Sequence, residues 1–368
     1  MEKRNFLVRR FRVSDINGVV KLFENVFEGN FSREWWNWKY ELNPAGFWGE
    51  KGDIWIAEDA NKEIVGYWAV MPEKLKLGSQ NITVGQAVDA ATHPDYRKLG
   101  IYKALVRNVL SDVQSRYEFI FSFPRRIPYE SHLRHGWKGF RISEFIKFIN
   151  YDQPLKAFFQ KNFVAWSGKV SLKVYEFGKK LFSSPLVKTR TANSVKIYKV
   201  NEFPDEMDDF WKQVRSEYEI CLERTATFLN WRFSKNFGDY QIFIARSIQN
   251  KNITGYLVLR KTRYLNVRNV LDIMDLHALP SENECLLNLI DTAITVAKTE
   301  GLDLVHCRVP PWHRYASILS KRGFIALDGV FRWLKIHQPR IAFYQLSKEG
   351  IIPKIQQWFY TLADTDYA

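Results

Sequence analysis

The feature that most constrains this chain is a repeat, because one half of the sequence aligns with the other. Four matched pairs are Trp38 with Trp231, Gly66 with Gly255, Pro94 with Pro280 and Gly136 with Gly323. The members of these pairs are separated by 193, 189, 186 and 187 residues. A kept order with a slowly drifting spacing is typical of duplicated domains that differ by small loop changes. The repeat predicts two domains of one architecture in tandem.

The composition is compatible with two packed domains. The chain has 368 residues, of which 46% are hydrophobic and 15% aromatic, so it can bury two cores of ordinary size. Each half shows the order β-α-α-β-β-β-α-β-α-β, with last strands near 143–150 and 330–336. We expect an α/β (α+β) fold with two mixed, mostly antiparallel sheets flanked by helices. The expected boundaries are 1–150 and 195–340 for the domains, 151–194 for a linker and 341–368 for a tail.

A basic turn in the first half predicts an anion site. The segment 89–103, DAATHPDYRKLGIYK, combines the end of an apolar strand, an Arg97-x-x-Gly100 turn and the start of a helical pattern. The first backbone N–H groups of a helix have no partner within the helix, and its dipole adds to their attraction for an anion. The second half has LPSENECLLNL at this place, with Glu282 and Glu284, which would repel an anion.

The Arg97-x-x-Gly100 spacing resembles the acyl-CoA pyrophosphate loop of the Gcn5-related N-acetyltransferases (GNAT), Q/R-x-x-G-x-G/A. It departs from that pattern at Tyr102, where the family has a small residue. The order of elements over about 5–150 and 195–336 is also the GNAT order, so the chain resembles tandem-GNAT acyltransferases. The resemblance implies an acyl-CoA-dependent N-acyltransferase. In its simplest form this enzyme transfers acetyl from acetyl-CoA to a primary amine by direct attack.

The resemblance also implies where acetyl-CoA would bind. Backbone groups of Ala91 and Thr92 would pair with the pantetheine arm, and the turn would hold the pyrophosphate. The residues of that turn are Arg97, Lys98, Leu99, Gly100, Ile101, Tyr102 and Lys103. We expect the first domain to bind the cofactor and the degenerate second domain to shape the acceptor cleft.

Several side chains are candidates for acid–base catalysis. Tyr129 and His132 lie three residues apart on one predicted helix face, and either could protonate the leaving thiolate. Two carboxylates are candidate bases: Asp89, on the predicted strand that leads into the basic turn, and Glu58, at the end of a neighbouring predicted strand. In some tandem-GNAT enzymes the C-terminus enters the active site, so Asp366 or the terminal carboxylate is a further candidate.

The net charge and the cysteine content limit the possible binding partners and the cellular compartment. The formal net charge is +14, which indicates either anionic partners or a solvated basic surface. The segment 153–190 has eight Lys or Arg residues and one acid, and its apolar residues fall near helical spacing. It either lies on an anionic membrane or is an ordinary linker helix between the domains. Three scattered cysteines match no metal or disulfide spacing, and with no signal-peptide pattern they indicate a cytoplasmic protein.

Two other classes of function stay open at this stage. A Fem-like aminoacyl-tRNA-dependent transferase would explain the basic charge but would not need the first-half loop. A non-catalytic CoA-binding or nucleic-acid-binding module is the other alternative, although no RNA-binding signature is present. We therefore expect a small-molecule amine or amino-sugar acceptor, no nucleic acid and no metal. The residues do not indicate the acceptor, the acyl length or the oligomeric state.

Overall fold

The structure is a computed structural model that describes residues 5–27, 31–46, 53–150, 194–235, 238–264, 267–329, 338–346 and 354–366, apart from the side chains of 126 and 127. The predicted basic linker, except its last residue, and the predicted strand near 330–336 lie outside the described residues.

The first half follows the predicted order of elements, with one added strand. Its amphipathic helix α1 buries Ile16, Val19, Leu22 and Phe23 against the sheet, as the apolar spacing requires. The elements are β1 Phe6–Arg10, α1 Ile16–Val26, α2 Arg33–Trp36, β2 Ile54–Asp59, β3 Ile64–Leu77, β4 Gln80–Thr92, α3 Ile101–Val113, β5 Phe119–Ser122, α4 Arg126–Arg134, β6 Lys138–Arg141 and β7 Glu144–Phe148.

The second half repeats this order and also adds a strand after its first helix. Its longest helix, α7, buries seven apolar side chains against the second sheet. The elements are β8 Val195–Val200, α5 Met207–Val214, β9 Ile220–Leu222, α6 Ala226–Leu229, β10 Tyr240–Ser247, β11 Ile253–Tyr264, β12 Val267–Ala278, α7 Asn283–Thr299, β13 Leu304–Arg308, α8 Arg314–Lys321, β14 Ile325–Ala326 and β15 Arg340–Gln345.

The two sheets exchange strands, which the repeat did not predict. The first sheet has the order β1-β2-β3-β4-β5-β15-β6, with β9 paired to β3, and the second has the order β14-β7-β13-β12-β11-β10-β8. The predicted strand near 143–150 forms as β7, but it pairs with β13 in the second sheet. Conversely, β15 lies between β5 and β6 of the first sheet. The sheets therefore do not follow the expected boundaries at 150 and 340.

A pair of tryptophans joins the halves at equivalent positions of the repeat. Trp38 and Trp231 stack with ring centroids 5.4 Å apart and planes 20° from parallel. Each indole N–H donates to the other residue's backbone carbonyl oxygen at 2.8 Å. Both side chains are buried, so each N–H would be costly to leave without a partner. This reciprocal contact relates the halves by an approximate two-fold axis.

We expect the described halves to unfold together, because each sheet contains a strand of the other half. Trp38→Ala should cost about 3–5 kcal/mol of unfolding free energy, since it opens a cavity and removes a buried hydrogen bond. Urea unfolding followed by circular dichroism and by fluorescence checks both points. Trp312→Ala is the control. That side chain is 44% exposed, so its removal should change the free energy of unfolding by at most about 0.5 kcal/mol. Two well-separated transitions, or equal effects of the two variants, would contradict this account.

Candidate active site

An opening lies between the parallel strands β4 and β5. They pair only at Gly85 with Ile120 and at Gln86 with Phe121, after which β4 continues to Thr92 while β5 ends. Within this unpaired part, β4 carries a bulge, where the register with β3 shifts between Tyr67 and Ala69. Asp89 lies in the bulge with a φ of +51°. Separated strands with unpaired backbone groups form a groove that an extended ligand can enter.

The basic turn for which the sequence predicts an anion site lies at the end of this opening. Arg97, Lys98 and Leu99 are exposed, and Gly100 precedes α3 with a φ of +89°. A Cβ on Gly100 would meet no described atom within 4 Å, so the glycine is required by its backbone conformation and not by crowding within the protein. The first N–H groups of α3 follow at Ile101, where no intrahelical acceptor is available. Exposed cations and these N–H groups together suit a pyrophosphate.

Tyr102, which departs from the family pattern, turns toward α4. Its hydroxyl lies 2.7 Å from Nδ1 of His132, and the two rings are nearly parallel. His132 is buried and also contacts Trp137. Burial and, to a smaller extent, the charge of His135 lower the pKa of His132 to about 4. The imidazole is therefore neutral at pH 7 and is held in a packed aromatic cluster.

The other candidate acid, Tyr129, is buried on the same helix. Its ring lies 4.2 Å from the guanidinium carbon of Arg340 on the exchanged strand β15. The ring also lies so close to Gly139 that a side chain at that position would collide with the phenol. The second half thus contributes a cation to the surroundings of this tyrosine.

The structure brings two of the candidate bases together. Lys39 forms an ion pair of 2.7 Å with Asp89 and lies 3.7 Å from Asp366. Asp366 belongs to the described residues 354–366, which we call the C-terminal segment. The Tyr40 hydroxyl also donates to Asp89. Burial raises the pKa of Asp366, Lys39 opposes this rise, and the charge of Asp89 adds to it. We call Asp89, Lys39 and Asp366 the bulge cluster.

Glu58 is not brought into this site. Arg9 donates to it at 2.8 Å and forms a second ion pair with Asp15, at the edge of the first sheet. Glu58 lies on β2, which β3 separates from β4, so about 10 Å of sheet lies between it and the opening.

The C-terminal segment adds groups that the sequence reasoning missed. Gln86 of β4 donates to the carbonyl oxygen of Asp364 at 2.8 Å, and Arg232 donates to that of Thr365 at the same distance. Arg224 forms ion pairs with Asp364 and with Asp275 of β12. The only sequence signal was the alignment of Asp275 with Asp89, which placed a carboxylate on an apolar strand in both halves.

The corresponding opening of the second sheet is filled by the protein itself. Ala278, the counterpart of Thr92, donates its N–H to the Tyr315 hydroxyl at 2.9 Å. Tyr218 lies 3.4 Å from that hydroxyl and stacks on Phe359 of the C-terminal segment. No described side chain bonds to the N–H of Thr92 in this way. Among the described residues, aromatic side chains thus occupy the second opening, whereas none of them bonds to the N–H of Thr92 in the first.

Other kinds of site find little support in the described parts of the chain. No group of three or more His, Cys, Asp or Glu side chains there could hold a metal ion. Cys221, Cys285 and Cys307 are buried free thiols. Among the helices that the structure describes, none combines the length and apolar character needed to span a bilayer.

Comparison with known proteins agrees with this geometry. Residues 7–138 match the family profile described as an acetyltransferase (GNAT) domain. No curated protein matches the chain in sequence.

Similar solved structures cover almost the whole chain. A conserved protein of Enterococcus faecalis V583, described as a probable N-acyltransferase, is 11% identical with a TM-score of 0.61, over 94% of this chain and 74% of that one. A GCN5-related N-acetyltransferase of Anabaena variabilis ATCC 29413 is 12% identical with a TM-score of 0.60, over 93% and 73% of the two chains. One of Kribbella flavida is 12% identical with a TM-score of 0.55, over 93% and 71%. At these identities the likeness concerns the fold. Residues 7–138 are thus a GNAT acetyltransferase domain, in a chain with two GNAT-like sheets in tandem.

Proposed function

We propose that the protein is an acyl-CoA-dependent N-acyltransferase that transfers acetyl from acetyl-CoA to a primary amine. The difference between the two openings carries this proposal. The first has a Thr92 N–H to which no described side chain bonds, beside a basic helix N-terminus, whereas Tyr315 occupies the matching N–H of the second. An aminoacyl-tRNA-dependent transferase would not need the loop that the first half has kept.

In this proposal the first domain holds the donor along β4. The N–H groups at the start of α3 bind the pyrophosphate with Arg97, Lys98 and Lys103, and Ala91 and Thr92 pair with the pantetheine arm. The acetyl group then reaches the bulge at Asp89. Holding both substrates in one groove removes much of the entropic barrier to the bimolecular reaction.

The bulge cluster supplies the base. A primary amine is an ammonium ion at neutral pH, so it must lose a proton before it attacks the thioester carbon. Asp366 suits this step because burial raises its pKa above that of an ordinary aspartate, so it binds a proton more readily, and Lys39 keeps it near Asp89.

Tyr129 is our proposed acid for the leaving thiolate. His132, with a pKa of about 4, has no ready proton to give at pH 7. The phenol hydroxyl of Tyr129 is a hydrogen-bond donor that can give its proton as the carbon–sulfur bond breaks. The second domain takes no part in the proton transfers and supports the acceptor cleft.

Calorimetry should give one CoA per chain. Arg97→Glu should weaken binding by about 2–3 kcal/mol, because it replaces a charge-assisted contact with repulsion. Arg107→Glu makes the same change of charge on an exposed position of α3 and should leave the Kd within about twofold. Two equivalent CoA sites, or equal losses in the two variants, would refute the placement of the donor.

Gly100→Val should abolish CoA binding, because valine disfavours a φ of +89° and the loop must change shape to accept it. Gly301→Val is a matched control, since Gly301 has a φ of +64° and equally open surroundings after α7. Both variants should lose about 1–2 kcal/mol of stability. Only Gly100→Val should lose CoA in a titration, and normal affinity in that variant would show that the loop does not hold the cofactor.

Turnover with acetyl-CoA is the direct test of function, with glucosamine, spermidine, lysine and a peptide amine as four probe acceptors. With the best of these, Tyr129→Phe should lower kcat by about 10²–10⁴-fold with little change in the KM for acetyl-CoA. His132→Phe keeps an aromatic ring beside Trp137 and should retain kcat within about threefold. If Tyr129→Phe also retains kcat, another group or water protonates the thiolate.

A further inference from the structure

Glu73 on β3 is a buried carboxylate that accepts no hydrogen bond from any residue that the structure describes. It is 4% exposed. Burial and the charge of Asp364 raise its pKa to about 8, while Arg224 and Arg232 oppose the rise. An ordinary glutamate titrates near pH 4.3, so Glu73 can exchange a proton close to neutral pH where surface carboxylates cannot.

Two spaces meet at this side chain. One is a cavity of about 20 Å³ between β3 and the C-terminal segment, which also reaches Lys39 and Asp366 of the bulge cluster. That volume is room for about one water molecule. The other is a cleft of about 320 Å³ between the halves, bounded by residues such as Pro44 and Trp211. Glu73 lines both spaces, together with Phe228.

The proposed reaction must release a proton. An ammonium ion and acetyl-CoA give an amide, the free thiol of CoA and one proton. The carbon–nitrogen bond forms as the carbon–sulfur bond breaks, and the thiolate takes up a proton from the acid. The proton that left the ammonium therefore has to reach solvent before the base can act again. Lys39 is buried, and the side chains of Asp89 and Asp366 are only 13% and 17% exposed, so little of the bulge cluster is in contact with solvent to which this proton could pass directly.

We propose that Glu73 passes this proton from the bulge cluster, through one water in the small cavity, to the cleft between the halves. The inference rests on the proposed function. Asp366 gives the proton to the water, the water gives one to the Glu73 carboxylate, and Glu73 releases it into the cleft. Glu73 is regenerated as the carboxylate in each cycle, so no other reactant is consumed.

The charges around Glu73 come from every neighbouring element. Arg224 and Arg232 lie on the second-half side, Asp364 on the C-terminal segment, and Lys39 and Asp366 across the small cavity. On the cleft side stand Lys74, Asp208, Lys212, Arg215 and Glu223. Arg215 pairs with Glu223, and Lys212 pairs with Asp209, so these groups largely neutralise one another.

The test compares Glu73→Gln, which keeps the shape of the side chain and removes its titration, with Asp209→Asn. Asp209 is an 80% exposed carboxylate on α5 beside the cleft. The kcat for the best probe amine is measured from about pH 6 to about pH 9.5 at saturating acetyl-CoA and amine, because regeneration of the base is a step of turnover. The ratio of parent to variant is taken at each pH, which cancels the titration of the amine itself.

For Glu73→Gln this ratio should lie near 1 at about pH 6, where Glu73 is protonated in the parent, and rise to about 10–100 above pH 9. It should stay within about twofold for Asp209→Asn, and CoA affinity should be unchanged in both. A ratio that does not change with pH overturns the inference, since a structural defect would slow the reaction equally at every pH. If the parent acetylates none of the amines, the proposed function fails, and this outcome is distinct from a flat ratio.

Thermal unfolding supplies a readout without substrate. The unfolded chain releases the Glu73 proton near pH 4.5 and the folded chain near pH 8, so this group lowers stability as pH rises between these values. Glu73→Gln should remove that decline and have the higher Tm at pH 8. Equal pH dependence of Tm in parent and variant would also overturn the inference.

Discussion

The reciprocal contact of Trp38 with Trp231 is the constraint on which the central part of the molecule depends. Each tryptophan is followed by a cationic residue, Lys39 in one half and Arg232 in the other. The contact places both of these residues at the small cavity between β3 and the C-terminal segment. Lys39 reaches the carboxylates of the bulge cluster, and Arg232 reaches the backbone of the C-terminal segment. The candidate chemistry therefore lies at the approximate two-fold axis, where neither half could build it alone.

The two halves differ in how they use one pair of matching positions, Asp89 and Asp275. Asp89 and Asp275 occupy matching positions, yet Asp89 faces a lysine and a second carboxylate beside a cavity. Asp275 is fully buried and accepts bonds from Arg224 and Tyr256. Burial alone would raise the pKa of Asp275, but Arg224 and His277 hold it below its ordinary value. One half thus keeps this carboxylate partly exposed beside Lys39, and the other half uses the same position as a buried structural anchor.

The elements and the basic loop were predictable because they depend on local patterns. Apolar spacing located the helices, and Arg97 with Gly100 located the exposed basic turn before α3. The exchange of strands was not predictable, because the alternation in β7 and β15 shows that each is a strand but does not identify its partner. Glu73 was missed for a related reason. Its place next to Lys74 on a strand looks exposed, and it is buried by parts of the chain that are distant in sequence, the second half with Phe228 and the C-terminal segment.

The exchanged strands also determine how late in synthesis the first sheet can finish folding. β5 ends at Ser122, but its outer neighbour β15 begins at Arg340, so 218 residues separate the two. At about 5–20 residues per second, a ribosome needs roughly 10–45 s to make that stretch. Until then the edge of β5 that faces away from β4 lacks its partner strand in the nascent chain, a form prone to wrong pairing. The first sheet, although most of its strands are made early, can therefore be completed only after the ribosome has made β15.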